Sequence, residues 1–265
     1  MKRTLRNVWS PERRNRRDVD VYLPASYRIA GTRRYPVVYM QDGQNLSDPE
    51  TAFAGTWDLE PALERLAARG LEVIVVGVHH AGDARLGEYS PFPDRRHGGG
   101  EGESYLAFLV ETLKPRIDRL FRTRTPCDET AILGSSMGAL VSLYAFFRYP
   151  SVFGRAGVMS PSLWFGQGAI LDYIAAAKAP GGRVYLDVGM REGARTLRQA
   201  HELARLLVHR GFRRDTRRKR GASPGVERRA NRPASLLRYL QDPGGGHQEA
   251  AWAHRLDGAL DFLLD

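Results

Sequence analysis

Short, nearly continuous apolar runs alternate with stretches of helical periodicity along this chain. The runs at residues 35–40, 71–78 and 130–133 are typical of parallel strands that are covered on both faces. Between them, apolar side chains recur at the spacing of an amphipathic helix, first up to the stop signal at Gly70 and then over residues 105–120. This order predicts an α/β protein with a mostly parallel central sheet, helices on both faces and a single domain that spans the chain.

The remaining elements extend the same pattern. Residues 155–159, 184–188 and 236–240 are further strand candidates. Residues 18–23 alternate polar and apolar side chains, which predicts a half-buried strand at the edge of the sheet. The last stretch, residues 249–264, has its large apolar side chains on one side, so the chain is predicted to finish on an amphipathic helix.

The pentapeptide at residues 134–138 reads Gly-Ser-Ser-Met-Gly and matches the G-x-S-x-G pattern. A strand pattern directly precedes it and a helical pattern directly follows, as this motif requires. Gly134 and Gly138 leave room for the strained backbone that lifts a serine above the sheet. Ser136 is therefore the predicted nucleophile, and the Met137 amide at the start of the helix is a predicted oxyanion donor.

A serine nucleophile needs a base, and the chain has seven histidines. His247 is the preferred one, because it lies in a glycine-rich loop between a strand and a helix and comes after Ser136. In this fold the acid of the triad comes between the serine and the histidine along the chain. Glu192, in the loop after a strand, is the preferred acid, and Asp187, inside that strand, is the alternative. A glutamate in the first turn of a helix would give the same pattern without any catalytic role.

The second oxyanion donor is expected in the loop after an early central strand. That loop covers residues 41–45, and the amide of Gly43 or Gln44 is the candidate. Loops at this edge of the sheet also hold the ligand in open α/β proteins. The side chains that could line an acyl or alcohol pocket there are Trp57, Arg85, Glu88, Tyr89 and Trp164. Packing inside the protein is the alternative role for these aromatic residues.

Five segments together carry a resemblance to a known family. They are residues 36–45, 87–91, 134–138, 159–164 and 244–252. From about residue 18 to its end, the chain resembles the esterase family of α/β-hydrolases that contains enterochelin esterases, feruloyl esterases, S-formylglutathione hydrolases and mycolyltransferases. The resemblance implies the α/β-hydrolase fold, an acid at Glu192, three residues after Gly189, and oxyanion donors at Gln44 and Met137.

These residues and the resemblance predict a serine esterase that forms an acyl-enzyme with a small-molecule ester, an enterochelin-like siderophore ester being one candidate. The same residues would serve an acyltransferase that passes the acyl group to another alcohol. No metal or organic cofactor is expected. The three histidines His79, His80 and His97 have no carboxylate or cysteine at a spacing that supports a metal site.

The formal net charge of +10 is concentrated in two segments. Residues 1–20 contribute +4 and residues 213–232 contribute +7, which leaves −1 for the rest of the chain. A nearly neutral remainder is unlike a domain built around a phosphate-binding face, which disfavours nucleic acid as a partner. The arginine-rich residues 213–232 are predicted to form a solvated, mobile surface insertion. They keep open the hypothesis of a non-catalytic protein of this fold that binds anionic partners.

Cysteine content and hydropathy indicate the compartment. Cys127 is the only cysteine, so no intrachain disulfide can form, which is compatible with a reducing environment. No run of about 18 apolar residues predicts a membrane span, and residues 1–6 lack the apolar stretch of a secretory signal. A cytoplasmic location without a membrane partner is expected, and the oligomeric state is open.

Overall fold

The computed structural model describes residues 1–52, 55–216 and 235–265. The strands in chain order are β1 (Lys2–Ser10), β2 (Asn15–Tyr22), β3 (Val37–Gln41), β4 (Ile74–Val78), β5 (Pro93–Asp94), β6 (Gly98–Gly99), β7 (Thr130–Ser135), β8 (Arg155–Met159), β9 (Arg183–Gly189), β10 (Arg213–Arg214) and β11 (Leu236–Asp242). Nine of these strands form one sheet in the order β1-β2-β4-β3-β7-β8-β9-β11-β10, and β5 pairs with β6 in a separate small sheet.

The sheet is mostly parallel, as predicted. β2 runs antiparallel to both of its neighbours, β1 and β4. From β4 through β3, β7, β8, β9 and β11 to β10, every pairing is parallel. The carboxyl ends of β3, β7, β8, β9 and β11 therefore meet at one edge of the sheet, where the loops that follow them come together.

Helices cover both faces of this sheet. They are α1 (Leu59–Ala67), α2 (Arg85–Glu88), α3 (Gly102–Ala107), which continues through a π-helical turn (Phe108–Leu113) into α4 (Lys114–Leu120), α5 (Met137–Arg148), α6 (Ala169–Ala176), α7 (Ala194–His209) and α8 (Glu249–Leu264). α1 and α8 pack on one face, and α3 through α7 pack on the other. No helix in the described part of the chain has the length and apolar character needed to cross a membrane.

The apolar run in β3 shows why such segments become central strands. Successive side chains of a strand point to opposite faces of the sheet. Val37 and Tyr39 join the core beneath α3 through α7, whereas Val38 and Met40 join the core beneath α1 and α8. A strand covered on both faces has no solvent side, so a continuous apolar sequence is what it needs.

The amino-terminal edge differs from the prediction. The strand predicted at residues 18–23 forms part of β2, but it is not at the edge of the sheet, because β1 pairs along its outer side. β1 was not predicted, since most of its nine residues are exposed and only Val8 and Ser10 are buried. An edge strand pairs with a neighbour on one side only. Because β1 is largely exposed, its sequence shows little apolar periodicity.

The arginine-rich segment is described only at its beginning. Arg213 and Arg214 form β10, which pairs in parallel with Leu236 and Leu237 of β11. These two residues are therefore the last strand of the sheet rather than the start of a loop. The other part of the predicted mobile insertion, residues 217–232, lies outside the described residues.

Candidate active site

Ser136 occupies a sharp turn between β7 and α5. Its backbone has φ 55° and ψ −120°, a conformation that costs energy for a residue with a side chain. A Cβ on Gly134 would lie 2.6 Å from the carbonyl carbon of Gly138, and a Cβ on Gly138 would lie 3.0 Å from the Cβ of Gln41. A Cβ at Gly134 would therefore force the backbone of the turn to move and one at Gly138 would press on Gln41, so the two glycines favour this turn, as the sequence predicted.

Three predicted residues meet beside this turn. His247 Nε2 lies 2.9 Å from Ser136 Oγ, and His247 Nδ1 lies 2.8 Å from Glu192 Oε2. Each residue follows a different parallel strand: Ser136 follows β7, Glu192 follows β9 and His247 follows β11. A neutral imidazole whose Nδ1–H donates to Glu192 presents the lone pair of Nε2 to the serine hydroxyl, which suits it to accept a proton from that hydroxyl.

The Glu192 carboxylate is held in place by several donors. Its Oε1 accepts hydrogen bonds from the Gly189 amide at 2.7 Å and from the Ser160 hydroxyl at 2.5 Å. Burial alone would raise the pKa of Glu192, but the hydrogen bonds from His247, Ser160 and Gly189 outweigh it and hold this pKa below its usual range. Glu192 is therefore a carboxylate at neutral pH.

Asp187, the alternative acid, lies elsewhere in the network. It is fully buried in β9, where its Oδ1 accepts a hydrogen bond from the Ser160 amide at 3.2 Å and lies 3.1 Å from Nη1 of Arg255. Burial raises the pKa of Asp187 to about 7 despite the attraction of Arg255. The carboxylate that faces His247 is that of Glu192, because Glu192 lies beyond the end of the strand whereas Asp187 is inside it.

The two predicted oxyanion donors are backbone amides in the first turns of helical segments. Met137 is the first residue of α5, so its amide has no acceptor within the helix. Gln44 lies in a 3₁₀ turn in which the first amide to donate a hydrogen bond is that of Asn45, to the Asp42 carbonyl oxygen. The Gln44 amide therefore has no acceptor inside the turn. Gly43 touches the backbone of Gly77, since a Cβ there would lie 2.4 Å from the Gly77 carbonyl carbon. This close backbone contact sets the position of the turn.

The predicted pocket residues divide into exposed and buried ones. Trp164 is 38% exposed and follows β8 near Ser162. Arg85 is partly exposed and pairs with both oxygens of Asp42, at 2.7 and 2.8 Å. It can therefore hold the backbone that leads to Gln44.

Trp57 and Tyr89 do not line a surface open to a ligand, and for them the pocket prediction is wrong. Trp57 is 2% exposed and Tyr89 is fully buried. Trp57 packs on Trp252, with ring centroids 5.8 Å apart, and Tyr89 accepts a hydrogen bond from the Asp42 amide at 3.0 Å. Glu88 is also fully buried and pairs with Arg17. Neighbouring side chains from other parts of the chain bury these three residues. Their positions in the sequence do not predict this burial.

Four residues around the site were not singled out from the sequence. The Ser160 hydroxyl accepts hydrogen bonds from Trp252 Nε1 at 3.0 Å and from Arg255 Nη2 at 3.1 Å while it donates to Glu192. Ser162 Oγ lies 3.1 Å from Ser136 Oγ. Ser160 and Ser162 lie in residues 159–164 and Trp252 lies in residues 244–252, two of the segments that carried the family resemblance, and this was the sequence signal for them.

The candidate residues contain no metal site. In the described ranges, no group of three or more histidine, cysteine, aspartate or glutamate side chains is arranged to hold a metal ion. His79 pairs with Asp20 and His97 pairs with Asp94, so these two histidines lie in separate local contacts.

The sheet, its two helical layers and the serine turn at its carboxyl edge define the α/β-hydrolase class. The chain belongs to the family described as "Putative esterase", whose sequence model matches residues 10–263. Membership of this family supports ester hydrolysis as the activity.

Individual proteins are similar to this chain over different shares of its length. The uncharacterized protein YbbA of Bacillus subtilis is 29% identical over 219 residues, which are 78% of this chain and 84% of YbbA. A siderophore enterobactin esterase of Emericella nidulans is 35% identical over 82 residues, 31% of this chain and 26% of that protein. Among solved structures, the BES protein from Bacillus cereus has a TM-score of 0.75 at 19% identity, covering 100% of this chain and 95% of that one. At this identity the structural match shows a shared fold.

Proposed function

We propose that this protein hydrolyses carboxylic esters through an acyl-enzyme, with Ser136 as nucleophile, His247 as general base and Glu192 as the residue that orients the imidazole. The observation that carries the proposal is the continuous relay from Glu192 Oε2 to His247 Nδ1 at 2.8 Å and from His247 Nε2 to Ser136 Oγ at 2.9 Å. Both distances lie in the hydrogen-bond range that proton transfer needs.

Acylation begins when Ser136 Oγ attacks the ester carbonyl. A bond forms between Oγ and the carbonyl carbon, the carbonyl π pair moves onto oxygen, and the hydroxyl proton passes to His247 Nε2. The intermediate then expels the alcohol, which takes the proton back from Nε2, and the acyl group remains on Oγ. The carboxylate of Glu192 stabilises the imidazolium that exists between the two proton transfers.

Stabilisation of the oxyanion is the role that we assign to the backbone. The amides of Met137 and Gln44 would donate to the negative oxygen of each tetrahedral intermediate. Removal of one such donor in other enzymes costs about 3 kcal/mol of transition-state stabilisation. The two glycine-dependent turns at Gly134 and Gly43 support this role, because each holds a donor-bearing segment at one position.

Trp164, an exposed aromatic side chain two residues after Ser162, would contact the alcohol or acyl group of the substrate. The name of the siderophore enterobactin esterase relative makes siderophore esters the first class to screen. A panel that crosses three acyl sizes with three alcohol sizes, and includes a catecholate ester, would rank substrates by kcat/KM.

The decisive experiment combines turnover with active-site labelling. Wild type, S136A and S142A are compared for hydrolysis of 4-nitrophenyl acetate and for reaction with a fluorophosphonate probe. Ser142 is a buried serine on α5, so S142A controls for loss of a buried hydroxyl. We expect S136A to lose about 10⁴-fold or more in kcat together with all labelling, while S142A behaves as wild type. Activity retained by S136A would refute the proposal.

A further inference from the structure

A second serine, Ser162, contacts both the backbone and the side chain of the proposed nucleophile Ser136. The Ser162 amide donates to the Ser136 carbonyl oxygen at 3.1 Å, and Ser162 Oγ lies 3.1 Å from Ser136 Oγ. Ser162 is 5% exposed, and in the described part of the chain its hydroxyl contacts no other hydrogen-bond partner. The side chain of Ser162 therefore points at the atom that would form the covalent bond.

The direction of this hydrogen bond follows from counting protons. Glu192 is a carboxylate and can only accept, so Nδ1–H of the neutral imidazole of His247 donates to it, and Nε2 accepts a hydrogen bond from the Ser136 hydroxyl, which has a single proton. Ser136 then has no proton left for its second contact. The hydroxyl of Ser162 is consequently the donor, and Ser136 Oγ accepts from it.

We propose that Ser162 is a catalytic residue that donates a hydrogen bond to Ser136 Oγ as this oxygen leaves the acyl carbon during deacylation. The inference rests on the proposed esterase function and adds a named donor to its second half. Ser162 keeps its own proton throughout, so it stabilises charge without taking part in proton transfer.

The deacylation step shows where this donor acts. Water attacks the acyl carbon and gives a proton to His247 Nε2, which produces a tetrahedral intermediate. When that intermediate collapses, the bond between carbon and Ser136 Oγ breaks, its electron pair goes to Oγ, and the proton on Nε2 moves to Oγ. The carboxylic acid then departs. Negative charge therefore develops on Oγ, the atom that Ser162 contacts.

The effect of Ser162 should differ between the two halves of the reaction. The free Ser136 hydroxyl is already a good acceptor, so the hydrogen bond from Ser162 exists before acylation and gains little during it. In the acyl-enzyme, Oγ is the alkoxy oxygen of an ester, a poor acceptor, and the hydrogen bond strengthens only as the C–Oγ bond breaks. An interaction that is stronger in the transition state than in the ground state raises the rate of that step.

The test is pre-steady-state turnover of 4-nitrophenyl acetate by the full-length protein. Wild type is compared with S162A, with S162C, which nearly keeps the volume but is a weak donor, and with S162T, which keeps the hydroxyl. S142A is the control for a lost buried hydroxyl, since it lies outside the site. Circular dichroism of each variant establishes that it is folded.

For S162A and S162C we expect kcat to fall about tenfold or more, as for the loss of a hydrogen bond to a charged oxygen. The value of kcat/KM should stay within about threefold of wild type, and a burst of 4-nitrophenol close to one per enzyme should report accumulated acyl-enzyme. S162T should recover most of kcat.

Two results would overturn the inference while leaving the esterase proposal intact: S162A and S162C turn over at the wild-type rate, or their kcat and kcat/KM fall equally with no burst. If wild type itself neither turns over the ester nor labels at Ser136, the esterase proposal fails and this inference fails with it. The wild-type trace therefore distinguishes the two failures.

Discussion

Arg255 Nη1 lies 3.1 Å from Oδ1 of Asp187, and both side chains are buried beneath the carboxyl edge of the sheet. The same guanidinium donates to the Ser160 hydroxyl and lies 3.8 Å from Glu192 Oε1. The proposed triad acid is thus one member of a network in which a single buried arginine faces three carboxylates, the third being Asp242 with Oδ2 3.8 Å from Nε of Arg255. Stability and the position of the acid depend on the same contacts.

Removal of this arginine should destabilise the protein. In R255M, the carboxylates of Asp187 and Glu192 lose their buried cation, and breaking a buried ion pair costs about 3 to 5 kcal/mol. Urea denaturation at pH 8, where Asp187 is ionised, measures the free energy of unfolding. R65M is the matched control, because Arg65 pairs with Asp257 on the surface and its loss should cost about 1 kcal/mol or less. Equal losses in both variants would argue against the network.

The pKa of Asp187 predicts a pH-dependent stability. Burial raises this pKa to about 7, whereas an aspartate in an unfolded chain titrates near pH 4. Between these values the folded protein holds a proton that the unfolded chain has released. The resulting contribution to stability is complete below about pH 4 and is lost as the pH rises through about 7.

D187N removes this titration while it keeps the shape of the side chain. We expect wild type to lose stability relative to D187N as the pH rises from about 4 to about 7, by at most about 1.4 kcal/mol per pH unit, and the difference to level off above pH 7. Urea denaturation of both proteins at five pH values checks the trend. A constant difference between them would show that Asp187 titrates normally.

Substitution of the two candidate acids should separate their roles. E192Q presents an amide to Nδ1 of His247, which favours the wrong tautomer, so kcat should fall on the order of 10³-fold or more with little change in KM. D187N should lose less than about tenfold, because Asp187 contacts Arg255 and Ser160 rather than the imidazole. Steady-state kinetics at pH 8 measure both. The reverse order would make Asp187 the acid.

Close backbone contact at Gly43 predicts a loss of activity on substitution. In G43A the new Cβ would meet the Gly77 carbonyl, so the turn that carries the Gln44 amide must move, and kcat should fall about tenfold or more. G258A is the control, because a Cβ at Gly258 in α8 meets nothing within 4 Å. It should keep its activity and gain up to about 1 kcal/mol of stability. An active G43A would show that the turn tolerates displacement.

Local sequence patterns predict much of the fold. The last helix, α8, covers Glu249–Leu264, the same residues that the amphipathic pattern predicted, and β3 and β7 lie where the apolar runs indicated. The serine turn could also be predicted, because a strand, a glycine-flanked serine and a helix are adjacent in sequence. β1 could not, since its pairing with β2 is visible only once the two segments lie side by side.

The sequence by itself determined the α/β architecture, the turn at Ser136 and a short set of candidate partners. Only the tertiary structure decided which carboxylate faces His247, which serine contacts Ser136, and that Trp57 and Tyr89 are buried. The physical reason is distance along the chain. Side chains separated by many residues come into contact only because parallel strands end at one edge of the sheet. Local sequence patterns do not predict these contacts.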